Sequence, residues 1–130
     1  MDAAQALSEL MEVSSQITAA VVLDADGALL ASVPEDPAAA SGLAARTQEL
    51  VTAASELGAD GRDVTRVEVE LGEGAFFVVR EGGRTVGATT GPKPTSGLVV
   101  YDLRTCAQAS RAEEEAKKRR SPRKPKEQTE

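Results

Sequence analysis

The stretch VVLDADGALLASV, residues 21 to 33, decides how the sequence is organised. It opens with β-branched and apolar residues, passes through Asp24-Ala25-Asp26-Gly27, and becomes apolar again up to Val33. Turn-forming residues between two apolar runs of strand length predict a β-hairpin. The Asp24 side chain can accept hydrogen bonds from backbone amides ahead of it, and Gly27 can adopt the positive φ of a type I turn followed by a bulge.

The same residues also match part of a calcium-binding loop. Asp24 and Asp26 have the spacing of the first and third ligands, and Glu35 has that of the closing carboxylate. The fifth position, however, is Ala28, which has no side-chain oxygen, and the sixth is Leu29, where the loop requires glycine. We therefore favour the hairpin and predict no metal site.

A helix is predicted on each side of the hairpin. Before it, residues 2 to 17 repeat apolar side chains at mainly three- and four-residue spacing, which is typical of an amphipathic helix whose stripe extends to Ile17. After it, Asp36 suits the N-cap of a helix and Pro37 suits the first helical position. The second helix is rich in alanine and is predicted to end at about Leu57.

Three further strands are predicted between residues 64 and 91. The segment VTRVEVEL, residues 64 to 71, alternates apolar and charged side chains, so that one face of the strand is half exposed. Glycine-rich turns at residues 72–74 and 81–84 separate it from AFFVVR and then from TVGATTG. This pattern predicts a three-stranded meander.

The rest of the chain divides into a last helix and a tail. The helix is predicted from about Gly97 past Arg111, with Thr95 or Ser96 as its cap. We expect a folded domain over residues 1–112 and a charged extension over residues 113–130, which begins as the end of the helix and then becomes disordered. The order helix, hairpin, helix, meander, helix predicts an α+β domain with a five-stranded, largely antiparallel sheet.

The composition argues against an enzyme. No histidine occurs in the 130 residues, which removes the commonest general base and the usual zinc and haem ligand. The only cysteine, Cys106, has an apolar helical context and is expected to be a buried structural thiol. Glu68 and Glu70 share a strand face, but on an exposed edge they are solvent-facing charges. We predict no catalytic residue and no cofactor.

Charge is distributed unevenly along the chain. Residues 1–116 contain 8 basic and 19 acidic side chains, a balance of −11, whereas residues 117–130 contain 7 basic and 2 acidic ones, a balance of +5. The acidic domain is a poor surface for nucleic acid, because phosphates are neutralised by clustered lysine and arginine. The basic tail is either a solvated terminus or a contact for an acidic partner, nucleic acid or an anionic membrane.

The sequence also favours a location. No apolar run approaches the roughly 20 residues of a membrane span, and the N-terminus lacks the basic and apolar regions of a signal peptide. Together with a single cysteine, this predicts a cytoplasmic protein. Arginine outnumbers lysine ten to five and alanine is abundant, which indicates a bacterial source.

From Ala6 to Ala109 the chain resembles the roadblock family, which includes roadblock-type dynein light chains and bacterial partners of Ras-like GTPases. The resemblance is carried by the first helix, the hairpin, the alanine-rich helix, the meander and the last helix with GLVVYDLRTC. It implies the strand order 2-1-5-4-3, with the first and last helices on one face of the sheet and the middle helix on the other. It further implies a dimer formed through the middle helix and the third strand, which points to Leu43, Thr47, Leu50, Val51, Ala54, Arg66, Val67, Glu68, Val69 and Glu70. We name these ten residues the predicted interface.

The resemblance implies a non-enzymatic, homodimeric module that binds or regulates a Ras-like small GTPase or scaffolds a signalling complex. No G-x-x-x-x-G-K-[ST] run is present, so the nucleotide would be held by the partner. Two alternatives remain open. The charged edge strand also fits an ordinary monomer, and the element order also fits a PAS-like or profilin-like sensor of small molecules.

Overall fold

The described part of the chain forms three helices and one sheet in the order that the sequence predicts. The computed structural model describes the backbone of residues 2–57 and 64–120, and the side chains within these ranges up to residue 111. The elements are α1 (Ala3–Val13), β1 (Ile17–Leu23), β2 (Leu29–Val33), α2 (Pro37–Leu57), β3 (Arg66–Leu71), β4 (Gly74–Glu81), β5 (Arg84–Thr90) and α3 (Ser96–Arg120). All strand pairs are antiparallel, and the sheet order is β2-β1-β5-β4-β3. The predicted fold class and strand order are confirmed.

The hairpin forms through the turn that its sequence predicts. The Asp24 carboxylate accepts hydrogen bonds from the amides of Asp26 and Ala28, both at 2.9 Å. Gly27 adopts a φ of 90°, a value that favours glycine, and the register between β1 and β2 shifts at the turn. The carboxylate is therefore engaged in building the turn, which fixes the pairing of the two strands.

Helix α1 ends earlier than predicted. Its start is closed by a capping box, in which Asp2 and Gln5 exchange side-chain-to-backbone hydrogen bonds of 2.8 and 3.1 Å. Its end is set by Ser14, which has extended backbone angles and donates its amide to the Leu10 carbonyl at 2.9 Å. Ile17, predicted on the helix, instead begins β1 and pairs with Thr90. The prediction was wrong at Ile17 because the helical spacing does not show that Ile17 pairs with the distant Thr90, and a β-branched residue suits a strand.

Other boundaries differ by one or two residues. The third strand begins at Arg66 instead of Val64, although the carbonyl of Thr65 still accepts the amide of Arg80 at 3.0 Å. Helix α2 starts as predicted, with the Asp36 carboxylate accepting the Ala38 amide at 3.2 Å. The expected disorder at the end of the extension lies outside the described residues.

The main core lies between the sheet and the pair of helices α1 and α3. On the sheet, alternate residues of the three central strands enter this core, including Val22, Phe77 and Val86. The helices contribute apolar side chains such as Leu7 and Leu103, all fully buried. The first and last helices therefore share one face of the sheet.

Helix α2 packs on the opposite face, and its approach depends on one glycine. A Cβ atom on Gly87 of β5 would lie 3.0 Å from Cγ2 and 3.1 Å from Cβ of Thr47, and closer still to the Thr47 hydroxyl oxygen. Thr47 is fully buried and donates its hydroxyl to the Leu43 carbonyl at 2.8 Å. The missing side chain at residue 87 lets the helix lie close to the centre of the sheet.

Candidate interaction surface

The β3 edge and the adjoining side of the sheet form an incompletely covered apolar surface. Val67 pairs with Val78 and Val69 pairs with Phe76 across the β3–β4 hairpin. Because Phe77 enters the α1–α3 core, its neighbours in β4 and their cross-strand partners in β3 point to the α2 side. Val67, Val69 and Phe76 are only half buried there, so α2 does not cover this part of the sheet.

The predicted residues of α2 divide into two groups. Leu43, Leu50 and Ala54 are half buried and remain available for contact. Thr47 and Val51 are buried within the chain. These two side chains hold α2 against the sheet, so their contribution to a contact with another subunit would be indirect.

The charged side chains of β3 point to the other side of the sheet. The Arg66 guanidinium lies 3.6 Å from the Glu68 carboxylate, and the Glu68 carboxylate also accepts a hydrogen bond of 2.6 Å from the Ser96 hydroxyl at the start of α3. Arg66, Glu68 and Glu70 are all exposed. The strand thus presents one apolar face and one charged face at an edge that, within the described chain, pairs only with β4.

Two residues of this surface are absent from the predicted interface. Phe76 was assigned to the most apolar strand without a face, and Leu71, which is 59% exposed, was placed at the end of β3 without a role. The alternation of β4 contained the necessary signal. Once Phe77 is assigned to the core, Phe76 must point to the side that carries Val69.

An apolar cavity lies between α1 and α3. It has a volume of about 240 Å³ and is floored by Ala6, Leu10 and Cys106, with Tyr101 and Asp102 at its rim. Ligand sites usually measure about 300–1,000 Å³, so this cavity is small for a sensor of metabolites. On α3, Leu103 and Cys106 are buried, as expected for Cys106, whereas Tyr101 is 67% exposed.

Burial and desolvation raise the pKa of two groups at this cavity. Burial raises the pKa of the Cys106 thiol to about 12, which keeps it protonated and unreactive near neutral pH. Desolvation also raises the pKa of Asp102 above its ordinary value of 3.8. Within the described residues, no three histidine, cysteine, aspartate or glutamate side chains are arranged to hold a metal ion.

Comparison with known proteins identifies the family. The family model for the Roadblock/LC7 domain matches residues 3–86, and the chain belongs to this family. The family is generally a non-enzymatic interaction domain. A comparison with curated proteins gave no match.

Solved structures share the fold. A Roadblock/LC7 domain from Streptomyces avermitilis is 26% identical and superposes with a TM-score of 0.76, covering 86% of this chain and 97% of that one. MglB in a tetrameric arrangement is 19% identical with a TM-score of 0.62, covering 88% of this chain and 89% of that one. The gliding protein MglB from Thermus thermophilus is 16% identical with a TM-score of 0.59, covering 83% of this chain and 84% of that one. At these identities, the two MglB structures support the fold alone.

No helix in the described part of the chain is both long and apolar enough to cross a membrane.

Proposed function

We propose that the protein is a homodimeric interaction module whose two subunits meet through β3 and α2. The observation that carries this proposal is the half-covered apolar surface of Val67, Val69 and Phe76 beside an open strand edge. An unpaired edge strand is a template for another strand, and a two-fold axis lets the same edge serve both subunits. Family membership adds support, since the roadblock resemblance implies this mode of dimerisation.

The charges of β3 are also self-complementary. If two β3 strands pair antiparallel about a two-fold axis centred on Val67, Arg66 of each subunit lies opposite Glu68 of the partner subunit. Opposite charges across a strand pair are favourable by roughly 0.2–1 kcal/mol. This alternation therefore serves a dimer at least as well as it protects the edge of a monomer.

Size-exclusion chromatography with light scattering tests the dimer. We expect the wild-type chain to have twice the mass of one subunit, and Val69→Glu to shift it to the monomer because a carboxylate would be buried without a partner. Leu30→Glu adds the same charge on β2, the opposite edge of the sheet, and serves as the matched control. A wild-type monomer at high concentration, or an equal effect of both variants, would contradict the proposed interface.

We further propose that the dimer binds or regulates a Ras-like small GTPase, or scaffolds a complex that contains one. The support is the family, in which the resemblance points to bacterial partners of such GTPases, together with the absence of a phosphate-binding loop in this sequence. The test is a calorimetric titration of the dimer with Ras-like GTPases encoded beside its gene, each loaded with GDP or a non-hydrolysable GTP analogue. Failure to bind in either state, with the dimer intact, would argue against this role and leave the dimer proposal standing.

The basic extension and the location complete the proposal. We place the protein in the cytoplasm, where a buried free thiol such as Cys106 stays reduced.

The tail is proposed to contact an acidic partner through its seven basic residues. Deletion of residues 117–130 should then weaken GTPase binding at low salt and have less effect at high salt. Identical affinities for both forms at every salt concentration would assign the tail a solubilising role.

A further inference from the structure

The two edges of the sheet differ in how they are protected. Strand β3 carries three charged side chains, whereas β2, with the sequence LLASV, carries neither a charge nor a proline. Leu29 and Leu30 are 42% and 43% exposed on this edge. Among the described residues, β2 pairs with β1 alone. Edge strands normally carry charges, prolines or a covering segment, and an apolar edge without them favours pairing with another strand.

A groove runs beside this edge. It has a volume of about 510 Å³ and lies between β2 and one side of α1, where Ala4 and Ser8 leave space, and Glu35 borders it just after the end of the strand. A strand added to β2 would project alternate side chains into this groove. Its other side chains would pass to the face of Leu30 and Ser32, where the partly exposed Leu30 offers an apolar contact.

Acidic side chains border the groove: Glu35 lines it, and Glu9 and Glu12 line a neighbouring depression together with Ala4 and Ser8. No lysine or arginine occurs before Arg46, while α1, the β1–β2 turn and the link from β2 to α2 carry all the carboxylates of this region. These are Asp2, Glu9, Glu12, Asp24, Asp26, Glu35 and Asp36. Electrostatic complementarity therefore favours a basic partner.

We infer that the β2 edge binds an extended basic segment of another protein, which adds to the sheet as a sixth strand with alternating apolar and basic side chains. A second copy of this chain is a poor occupant, because a β2–β2 pair would bring two wholly acidic regions together. The chain's own basic tail is also a poor strand, because Pro122 and Pro125 lack the amide protons that strand pairing needs. Since β2 and β3 lie at opposite edges, this binding does not depend on the proposed dimer.

Three labelled peptides test the inference by fluorescence polarisation. The first, KVTVKVTVK, combines basic and strand-forming residues; the second, EVTVEVTVE, reverses its charge. The third, KVTPKVPVK, keeps the charge and removes one amide proton on each side of the strand. We expect the first peptide to bind at least about ten-fold more tightly than either of the others, and its affinity to fall with added salt. If the first and third peptides bind equally, the binding is unspecific charge attraction without strand pairing, and the inference is overturned.

Matched substitutions locate the binding edge. Leu30→Lys should weaken binding of KVTVKVTVK by about ten-fold or more through like-charge repulsion, whereas Leu71→Lys, the same change at the β3 edge, should leave it unchanged. Leu30 is exposed enough for the variant to fold, which circular dichroism would verify, and Ser32→Lys provides a second variant of the same edge. Equal losses from Leu30→Lys and Leu71→Lys would overturn the assignment.

The other occupants have distinct outcomes. If the tail covered the edge, a chain ending at residue 120 would bind KVTVKVTVK more tightly than the full chain, and the inference of a separate partner would be wrong. If a second copy covered it, the full chain would form an assembly that Leu30→Lys dissociates and Val69→Glu does not. A separate basic partner is supported if truncation leaves the affinity for KVTVKVTVK unchanged and Leu30→Lys has the same assembly mass as wild type.

Discussion

Replacement of Gly87 by alanine tests how the sheet positions α2. The new methyl group would meet Cγ2 of Thr47 at 3.0 Å and the hydroxyl oxygen at a shorter distance. Thr47 cannot turn away easily, because it is fully buried and hydrogen-bonded to the Leu43 carbonyl. Helix α2 must therefore shift, and overpacking of this kind costs about 1–3 kcal/mol.

Urea unfolding at a fixed protein concentration measures this cost. We expect the unfolding midpoint of Gly87→Ala to fall by about 1 M at an unchanged denaturant slope, since slopes of roughly 1–3 kcal/mol/M are usual for small proteins. Gly42→Ala is the control within α2 itself, because nothing lies within 4 Å of its new Cβ. It should be stabilised by about 0.5–1 kcal/mol, the helical preference of alanine over glycine.

A double-mutant cycle identifies the clashing partner. Thr47→Ala removes the atoms that approach Gly87 most closely, so Gly87→Ala should cost less in that background, with a coupling of about 0.5–3 kcal/mol. Two results would contradict this explanation: Gly87→Ala is as stable as wild type, or it lowers the free energy of unfolding equally with Thr47 and with Thr47→Ala. In either case the close approach of α2 to β5 is not the reason for a glycine at position 87.

Three further predictions concern single side chains. Burial raises the pKa of Cys106 from 9.0 to about 12, so the unfolded thiol loses its proton at a lower pH than the folded one. The free energy of unfolding should therefore fall between pH 9 and 12 by about 1.4 kcal/mol per pH unit relative to Cys106→Ala. If chemical unfolding shows the same pH dependence for both proteins, this prediction is wrong. Desolvation raises the pKa of Asp102, so ionisation of this carboxyl destabilises the fold. Asp102→Asn should therefore unfold at a higher temperature than wild type at pH 7 and lose this advantage below pH 3.8. A difference in unfolding temperature that persists below pH 3.8 would exclude ionisation of Asp102 as its cause. For Asp24, Asp24→Ala should cost about 1–2 kcal/mol through two lost hydrogen bonds, whereas Asp24→Asn, which keeps an acceptor oxygen, should cost less in the same unfolding assay.

Much of the fold was predictable because local chemistry and tertiary structure agree. The Asp24 to Gly27 turn uses the side-chain acceptor and the positive φ that its residues offer. The Asp36 cap and the proline after it begin α2 where the sequence indicates. Such signals lie within a few residues of each other, so they can be identified without the rest of the chain.

The sequence is less informative where residues distant in the chain determine the structure. Ile17 fits the helical stripe of α1 by spacing, but its pairing with Thr90 of β5 draws it into the sheet, and no local pattern contains that partner. Thr47 belongs to the predicted interface, which stays a prediction, and the structure adds that its side chain packs on Gly87. Which side of α2 faces its own sheet depends on the docking of the helix, and a helix with many alanines marks its inner side poorly.

The β2 edge illustrates a different limit. The sequence shows that LLASV is apolar, and apolar strands are usually interior ones. Only the strand order places β2 at an edge, where two leucines are partly exposed beside the α1 groove. Its difference from the charged β3 edge therefore becomes visible only after both strands have been assigned to the two ends of one sheet.

The most direct measurement of the central proposal, dimerisation through β3, is hydrogen–deuterium exchange at the two sheet edges as protein concentration rises. Backbone amides of β3 that do not pair with β4 exchange quickly in a monomer and slowly once a second β3 strand pairs with them. We expect protection of residues 66–71 to increase with concentration, while peptides covering 29–33 keep their exchange rate. Fast exchange of the outward β3 amides at concentrations where light scattering detects a dimer would contradict the proposed interface.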